Sequence, residues 1–580
     1  TNDSSLEKGS DRYNSSALYK TGIDMEKRNQ GGYGLAQEYL KEIDSATNIV
    51  ELLEMMLRFN RKYGAISLAG IEIDVDSKNS SEHVLHLVKG DTGVSKEIWQ
   101  LENQTQVKAY MKYLKDLWMI QGSTDEEATD IVNNVTEIMK DLANCSLSVE
   151  ETYDPDKSYN VFNISDVSSM FANQISVDKL CQIYGLSANE KIIVPDIKYF
   201  KQMATYLKNE NLPILKNYIK SVIYADYATF ADEQSVDAHE TYRMEAYGMK
   251  EKANKENMVL EKIQSLLGYQ CGRVFCEKYF QESTKTDVKK LVDEVIQVYH
   301  KRIAKLEWMS EETKQMAREK LNKIAIKIGY PDNWPQEKYD MILIPPQDDG
   351  LYINNQFIIK QVQTDYMFST KDEPVDRTNW VDYPQIVNAY YMSTNNTIYL
   401  LAGILQSPFY NPQVSKEENL GGIGFIIAHE ITHAFDNNGA KFDANGNLNN
   451  WWTEEDFEKF NSLSKKVVEY YNGYDINGKQ INGTQTLSEN IADLGAISCI
   501  TEIANNNRYD LKKVYKAYAS MWASKSREEY EYSCIAQDVH SPAKVRTNAV
   551  LSAIYGFYSA YNIRENDQMY KNPEDRPLIW

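Results

Sequence analysis

Cysteine is scarce, with six in 580 residues. That is too few for a disulfide-stapled scaffold, and the even number reveals no pairing, so buried free thiols and one or two bridges stand as equal readings. Long apolar runs are missing too. None approaches the roughly 18 residues that span a bilayer, which excludes an integral membrane chain as given. Positive charge is in deficit: 63 Lys and Arg face 84 Asp and Glu, a formal net charge of -21 with a pI near 5.0. Nucleic acid and anionic lipid would be repelled at long range, whereas neutral or basic peptides would be tolerated or attracted. Histidine numbers only seven, which gives any clustering of histidines weight. The start, Thr1-Asn-Asp-Ser-Ser5, carries neither an initiator Met nor an apolar leader. It suggests a processed form of something longer and exported.

What is present is a soluble-type composition, 42% hydrophobic and 25% charged, in a chain too long for one hydrophobic core. At least two lobes are expected. Residues 1–35 are polar and contain Gly31, Gly32 and Gly34, which reads as a flexible lead-in. A helical pattern follows from Leu35 to Leu57. Apolar residues then recur at helical spacing to about residue 330, as in Val292, Ile296, Val298, Tyr299, Ile303 and Leu306. Pro331, Pro335, Pro345 and Pro346 break that pattern. Tyr352 to Gln363 alternates as a strand would, and Pro384–Tyr391 and Thr397–Ala402 read as two short strands joined through Ser393 to Asn396. No internal repeat occurs.

Gly421 to Phe435 reads as a helix, stopped by Asp436-Asn-Asn-Gly439, and it contains His429-Glu430-x-x-His433. Two histidines at i and i+4 leave the same helical face, so both imidazoles reach one Zn²⁺. Glu430, one step round, sits beside the metal's open position, where it could activate a water. A catalytic zinc needs a third protein ligand. The metzincin arrangement is excluded, since it requires His at position 439 and Gly at 436, where this chain has Gly and Asp. Downstream, Thr486 to Ala496 opens another helix, with Glu489 and Asp493 at i and i+4. Two acids on one helix are ordinarily just a solvated face. Here they could supply one metal ligand and one acceptor for the N–H of a ligating His.

Four segments taken together, His429-Glu-Ile-Thr-His-Ala-Phe-Asp436, Glu489-Asn-Ile-Ala-Asp-Leu-Gly495, Val387-Asn-Ala-Tyr390 and Asp538-Val-His-Ser-Pro542, resemble, in order and spacing, the motifs of the neprilysin family of zinc metallopeptidases. The similarity runs from about residue 290 to Trp580. It implies a two-lobed, mainly α fold with small β elements, in which a thermolysin-like catalytic core closes on an internal chamber that admits short peptides. Residues 291–580 would form the catalytic lobe and 36–290 a helical lobe over it. Zn²⁺, one per chain, would be held by His429, His433 and Glu489, with Glu430 as base. Asp493 matches the carboxylate behind one ligating His, and Asp436 serves as a plausible partner of the other. His540, oriented by Asp538, matches the imidazole that stabilises the oxyanion. Arg546 matches the arginine that holds a substrate carbonyl, and Asn388 and Ala389 match the strand that pairs with the substrate backbone. Ile404, Phe409, Phe425, Ile426, Met521 and Trp522 would line the pocket for the residue after the scissile bond, favouring large apolar side chains. His83, His86, His239 and His300 match nothing and read as structural.

Three departures limit the resemblance. The chain ends Pro577-Leu-Ile-Trp580 in place of Cys-x-x-Trp, so the C-terminal disulfide of animal members cannot form and a bacterial member is implied. Ala496 replaces a second Gly, which firms the helix slightly. The family's early Asp-Phe-Tyr and Asn-Gly-x-Trp-Leu segments are not visible. The expected function is zinc-dependent endopeptidase action on oligopeptides, outside the cytoplasm, secreted or anchored at a bacterial surface, with a cytoplasmic protein as the alternative. A receptor on an inactive peptidase scaffold would have lost Glu430 or a ligand, and neither is lost. A purely structural helical protein would bind no zinc.

Overall fold

A computed structural model describes residues 6–101, 104–335 and 340–580. Helix makes up 61% of the described structure, as the mainly α reading expects. The apolar side chains gather into two cores. One is built from residues between Ala17 and Leu267 together with Met341 to Phe368. The other runs from Val288 to Ile324 and from Ala389 to Trp580. The chain therefore crosses from the first core to the second and back before finally returning to the second, which a single boundary near residue 290 does not capture.

The supposed lead-in is structured beyond its first five residues, which lie outside the described ones. Helix α1 (Asp11–Ile23) starts where the Ser10 hydroxyl accepts from the Tyr13 N–H, and α2 (Met25–Gly31) follows. Leu18 is fully buried in the first core. The Arg28 guanidinium, also buried, donates to the carbonyls of Gly22, Thr229 and Ala231. Polar composition concealed helices that bury one face and satisfy their cation on backbone oxygens. The pattern expected as one helix from Leu35 to Leu57 is two, α3 (Gly34–Ser45) and α4 (Ile49–Tyr63), separated where the Asn48 side chain caps α4 by accepting from the Glu51 N–H.

The first core also holds strands that the helical reading passed over. β1 (Ala69–Asp76) pairs antiparallel with β2 (Asn79–Lys89), in a sheet completed by β4 (Lys191–Ile193) and β3 (Val161–Asn163). In β1, Ile71 and Ile73 alternate with Glu72 and Asp74, the signature of a half-buried strand. The opposite correction applies to Tyr352–Ser369, a helix rather than the expected strand. Its Tyr, Ile, Phe and Val content favours β structure, but the buried pairs Ile353/Phe357, Asn355/Ile359 and Thr364/Phe368 stand four apart, one helical turn, and the helix is buried on more than one side against the first core.

In the second core β5 (Ala325–Gly329), β7 (Thr397–Leu401) and β6 (Ala389–Met392) form a sheet in that order. Pairing in β6 starts only at Ala389, so residues 384–388 are not strand as expected. Among the described residues β6 is an edge strand, with one side unpaired. All six cysteines are free. The tip of the β1–β2 hairpin docks on the second core, where the Leu448 N–H donates to the Ser77 carbonyl (2.6 Å) and the Ser80 N–H to Asn447 Oδ1 (2.9 Å). Nearby, Lys441 is ion-paired with Asp154 (2.5 Å) and Asp156 (2.7 Å). Among the described residues no helix is long and apolar enough to cross a membrane.

Candidate active site

The helix that carries the two histidines lies deep in the second core. Phe425, Ile426, Ile427, Ala428 and Ile431 are all buried, and an apolar helix of this kind is stable only when surrounded by protein. Its lead-in, Leu420–Gly424, makes a wide π-type turn. A Cβ on Gly422 would come within 2.3 Å of the Phe409 carbonyl oxygen, so the close backbone approach here requires glycine. After Thr432 the helix tightens over His433–Phe435 and ends at Asp436. Opposite packs the long helix Leu487–Asn506, which carries Glu489 and Asp493.

His429 Nε2 and His433 Nε2 stand 3.0 Å apart, and Glu489 places Oε2 3.2 Å from the first and Oε1 3.5 Å from the second. One ligand atom from each of the three residues falls within 4.8 Å of the others. Zn²⁺ with ligands at roughly 2.0–2.1 Å spaces tetrahedral neighbours about 3.3 Å apart, close to these separations, of which the two to Glu489 are made by its two different oxygens. Glu489 Oε2 is buried without a hydrogen-bond partner, as a lone pair reserved for a cation would be. The field has the same sense. Burial pulls His433 down, but Glu489 and Asp436 outweigh it and raise it to about 10. Burial opposes ionisation of Glu489 as well, and His433 and His540 overcome it, holding the carboxyl well below its ordinary value. Carboxylates that outweigh the cost of burying a protonated imidazole also favour a cation at this place. The donor set of two imidazoles and one carboxylate suits zinc with an open position for water.

Carboxylates sit behind each imidazole. His429 Nδ1 is 2.9 Å from Asp493 Oδ1, and His433 Nδ1 is 2.6 Å from Asp436 Oδ2. A carboxylate at Nδ1 favours the tautomer whose Nε2 lone pair faces the metal. Glu430 is 6% exposed, and burial pushes its carboxyl up, against the pull of the two histidines. A raised carboxyl is the condition of a base able to take and return a proton near neutral pH.

Two models of peptidase family M13 match the chain, one over residues 1–331 and one over 388–576. The chain belongs to peptidase family M13. A neutral endopeptidase of Lactobacillus helveticus is 30% identical over 568 residues, 97% of this chain and 87% of the relative. One of Lactococcus lactis is 36% identical over 392 residues, and that match takes in 67% of this chain and 62% of the relative's length. The crystal structure of a Mycobacterium tuberculosis zinc metalloprotease in complex with an inhibitor superposes with a TM-score of 0.93 at 27% identity, over 99% of this chain and 90% of the other.

Within this M13 chain, His540 comes to the same centre. Its Nδ1 is 2.8 Å from Asp538 Oδ1 and its Nε2 is 3.3 Å from Glu489 Oε2, yet it stands outside the converged ligand set. Its side chain is 45% exposed, facing a cavity of about 700 Å³ also lined by Trp522, Asp538 and Arg546. Arg546 is buried. It donates from Nε and Nη2 to both oxygens of Asp493 (2.8 and 2.7 Å) and lies over the Trp522 ring at 4.1 Å. That ion pair escaped the reading of the sequence, as did Ser488, whose hydroxyl donates to Asp436 Oδ2 (2.5 Å). Ser488 directly precedes Glu489, but a lone serine carries no signature of such a role. Of the six residues expected to line the apolar pocket, Trp522 borders this cavity. Ile404, Phe425, Ile426 and Met521 belong to the buried core, and Phe409 packs partly exposed against it. Asn388 is exposed just before β6, with its Oδ1 accepting from the Ala389 N–H.

Proposed function

We propose that this M13 member is a zinc-dependent endopeptidase that hydrolyses internal bonds of short peptides. The observation that carries this reading is the convergence of His429, His433 and Glu489 donor atoms within 4.8 Å, beside a buried Glu430 on the same helix. Those three residues would hold one Zn²⁺ per chain, which when bound supplies a Lewis acid and lowers the pKa of a coordinated water. Glu430 takes the proton of the attacking water and passes it to the leaving amine. With Asp538 on its Nδ1 (2.8 Å), His540 offers an Nε2–H to the oxyanion of the tetrahedral intermediate. Asp493 fixes His429 and Arg546 together, and Arg546 holds a substrate carbonyl at the cavity wall. The unpaired edge of β6, with Asn388 and Ala389, takes the substrate backbone as an added strand.

The substrate residue after the scissile bond enters the cavity beside Trp522 and Arg546. A large apolar side chain gains about 1.5–3 kcal/mol on burial, which is the source of the proposed preference for cleavage on its amino side. Residues 36–290, with the helices before them, act as the lobe that covers the site, and most of 291–580 as the catalytic lobe. The chamber between them limits substrates to short peptides outside the cytoplasm. Digesting a peptide mixture with and without a chelator, with cleavage sites read by mass spectrometry, tests the proposal. Chelator-sensitive cuts within peptides, before Phe, Leu or Ile, are expected. Absence of cleavage by the zinc-loaded chain, or cleavage indifferent to chelation, contradicts it.

A further inference from the structure

Helix Glu311–Lys323 carries a lysine whose burial the proposed chemistry does not use. Lys320 is 1% exposed, and its Nζ donates to the carbonyls of Ala434 (2.8 Å), Gly439 (2.6 Å) and Phe442 (2.7 Å). No carboxylate among the described residues is ion-paired with it. Three ammonium hydrogens meet three acceptors, so only the charged form satisfies them all; a neutral amine has two hydrogens to give. Burial pulls the group toward neutrality, while Asp436 and Asp443 pull the other way. The rings of Tyr391, Phe435 and Trp451 surround it, each with its centroid 5.9 Å away.

All three acceptors belong to one stretch, residues 434–442, where the chain leaves the His429–His433 helix. A helix end leaves carbonyls without partners and favours a cation there. The stretch folds back so tightly that a Cβ on Gly439 would lie 1.8 Å from the His433 carbonyl oxygen. Inside the turn sits Asp436. Its Oδ1 accepts from the N–H groups of Asn438 and Gly439, both at 2.7 Å, and its Oδ2 meets His433 Nδ1 at 2.6 Å. Lys320 and Asp436 thus grip the same turn, Lys320 by its carbonyls and Asp436 by its amides. Gly439 is held by both.

We propose that Lys320 is a positioning residue of the metal centre, whose ammonium pins the 434–442 turn and so fixes Asp436 against His433. The inference rests on the zinc-peptidase reading, under which His433 is a metal ligand. Lys320→Met keeps the stem and removes the charge and the three donors. Losing the support of a ligating His lowers metal affinity by about 10-fold to 100-fold, so zinc affinity, measured by chelator competition on the full chain, should fall by that factor. The visible spectrum of the Co²⁺-substituted chain, which reports ligand geometry, should change with it. In an Asp436→Asn background the same substitution should cost less than about threefold more, because both act through one contact.

Wild-type zinc affinity and an unchanged Co²⁺ spectrum in Lys320→Met would overturn the proposal, however far the melting temperature fell, and would leave a purely structural lysine. Fully multiplicative losses in the double variant would also overturn it. If wild type itself binds no zinc, the metal-site reading fails first, and that result is distinguishable from either. Should Lys320→Met fail to fold, Lys320→Gln, which keeps two donors, is judged by the same affinity and spectrum.

Discussion

Replacing Asp493 by Asn separates two roles that its position joins. The carboxylate is 1% exposed, receives Arg546 through Nε and Nη2 at 2.8 and 2.7 Å, and lies 2.9 Å from His429 Nδ1. The amide keeps the volume but turns one oxygen into an NH₂ donor and carries no charge, so it cannot receive the guanidinium at both Nε and Nη2, and it leaves His429 facing a neutral group. Arg546 is then left buried, with Glu489 at 3.9 Å as its nearest carboxylate. Removing one partner of a buried pair costs about 3–5 kcal/mol. Glu489 returns part of this, so a loss of about 3 kcal/mol in urea unfolding of the metal-free chain is expected. Separately, the charge beside His429 Nδ1 that favours the metal-binding tautomer is lost, which should weaken zinc by about 10-fold to 100-fold in chelator competition. Arg546→Met isolates the terms. In that background Asp493→Asn should cost little stability, since no unpaired guanidinium remains, while the zinc loss persists. If zinc affinity stays at the wild-type value while stability falls, Asp493 serves Arg546 alone and the account of His429 is wrong.

Other substitutions have equally definite outcomes. Glu489→Ala should weaken zinc far more than Asp493→Asn does, and equal affinity in Glu489→Ala and wild type would place the third ligand elsewhere. His540→Ala should lower kcat by roughly 100-fold to 1000-fold with a modest change in KM and full zinc content; loss of zinc along with activity would make His540 a ligand. Away from the site, Asp456 accepts from the Ser310 N–H (3.0 Å) and from the hydroxyls of Ser310 (2.5 Å) and Thr313 (2.6 Å). Burial pushes this carboxyl up, but the hydrogen bonds outweigh it and hold it at about 2 against an ordinary 3.8. A depressed carboxyl stabilises the fold above its unfolded value, here by about 2–3 kcal/mol, and the contribution fades as pH falls from about 4 towards 2. The urea stability gap between wild type and Asp456→Asn should therefore be wider at pH 6 than at pH 3, and an equal gap would refute the assignment.

The residues proposed as ligands could be picked out in the sequence because their spacing is local. His429 and His433, like Glu489 and Asp493, stand four apart on one helix, and helical geometry alone brings each pair to one face. That the two helices meet is a long-range fact, for which the motif order of the family stood proxy. Lys320 was not legible, because backbone carbonyls from a distant turn satisfy it and side-chain chemistry leaves no trace of that. Elsewhere the pattern was present but outweighed. The polar start concealed α1 because only a stripe around Leu18 is buried. The alternation of β1 was lost in a run of helices, and Tyr352–Ser369 was drawn towards a strand by its aromatic and β-branched residues until burial at helical spacing decided the matter.

The central claim is that Glu430, beside a zinc held by His429, His433 and Glu489, carries the proton in peptide hydrolysis. Glu430→Gln keeps the shape of a buried side chain and removes the base. Zinc content and the rate of peptide cleavage, measured on the same preparation, test the claim together. The expected result is one zinc per chain with hydrolysis slowed at least 100-fold to 10,000-fold. A fully zinc-loaded Glu430→Gln that cleaves peptides at close to the wild-type rate would contradict it.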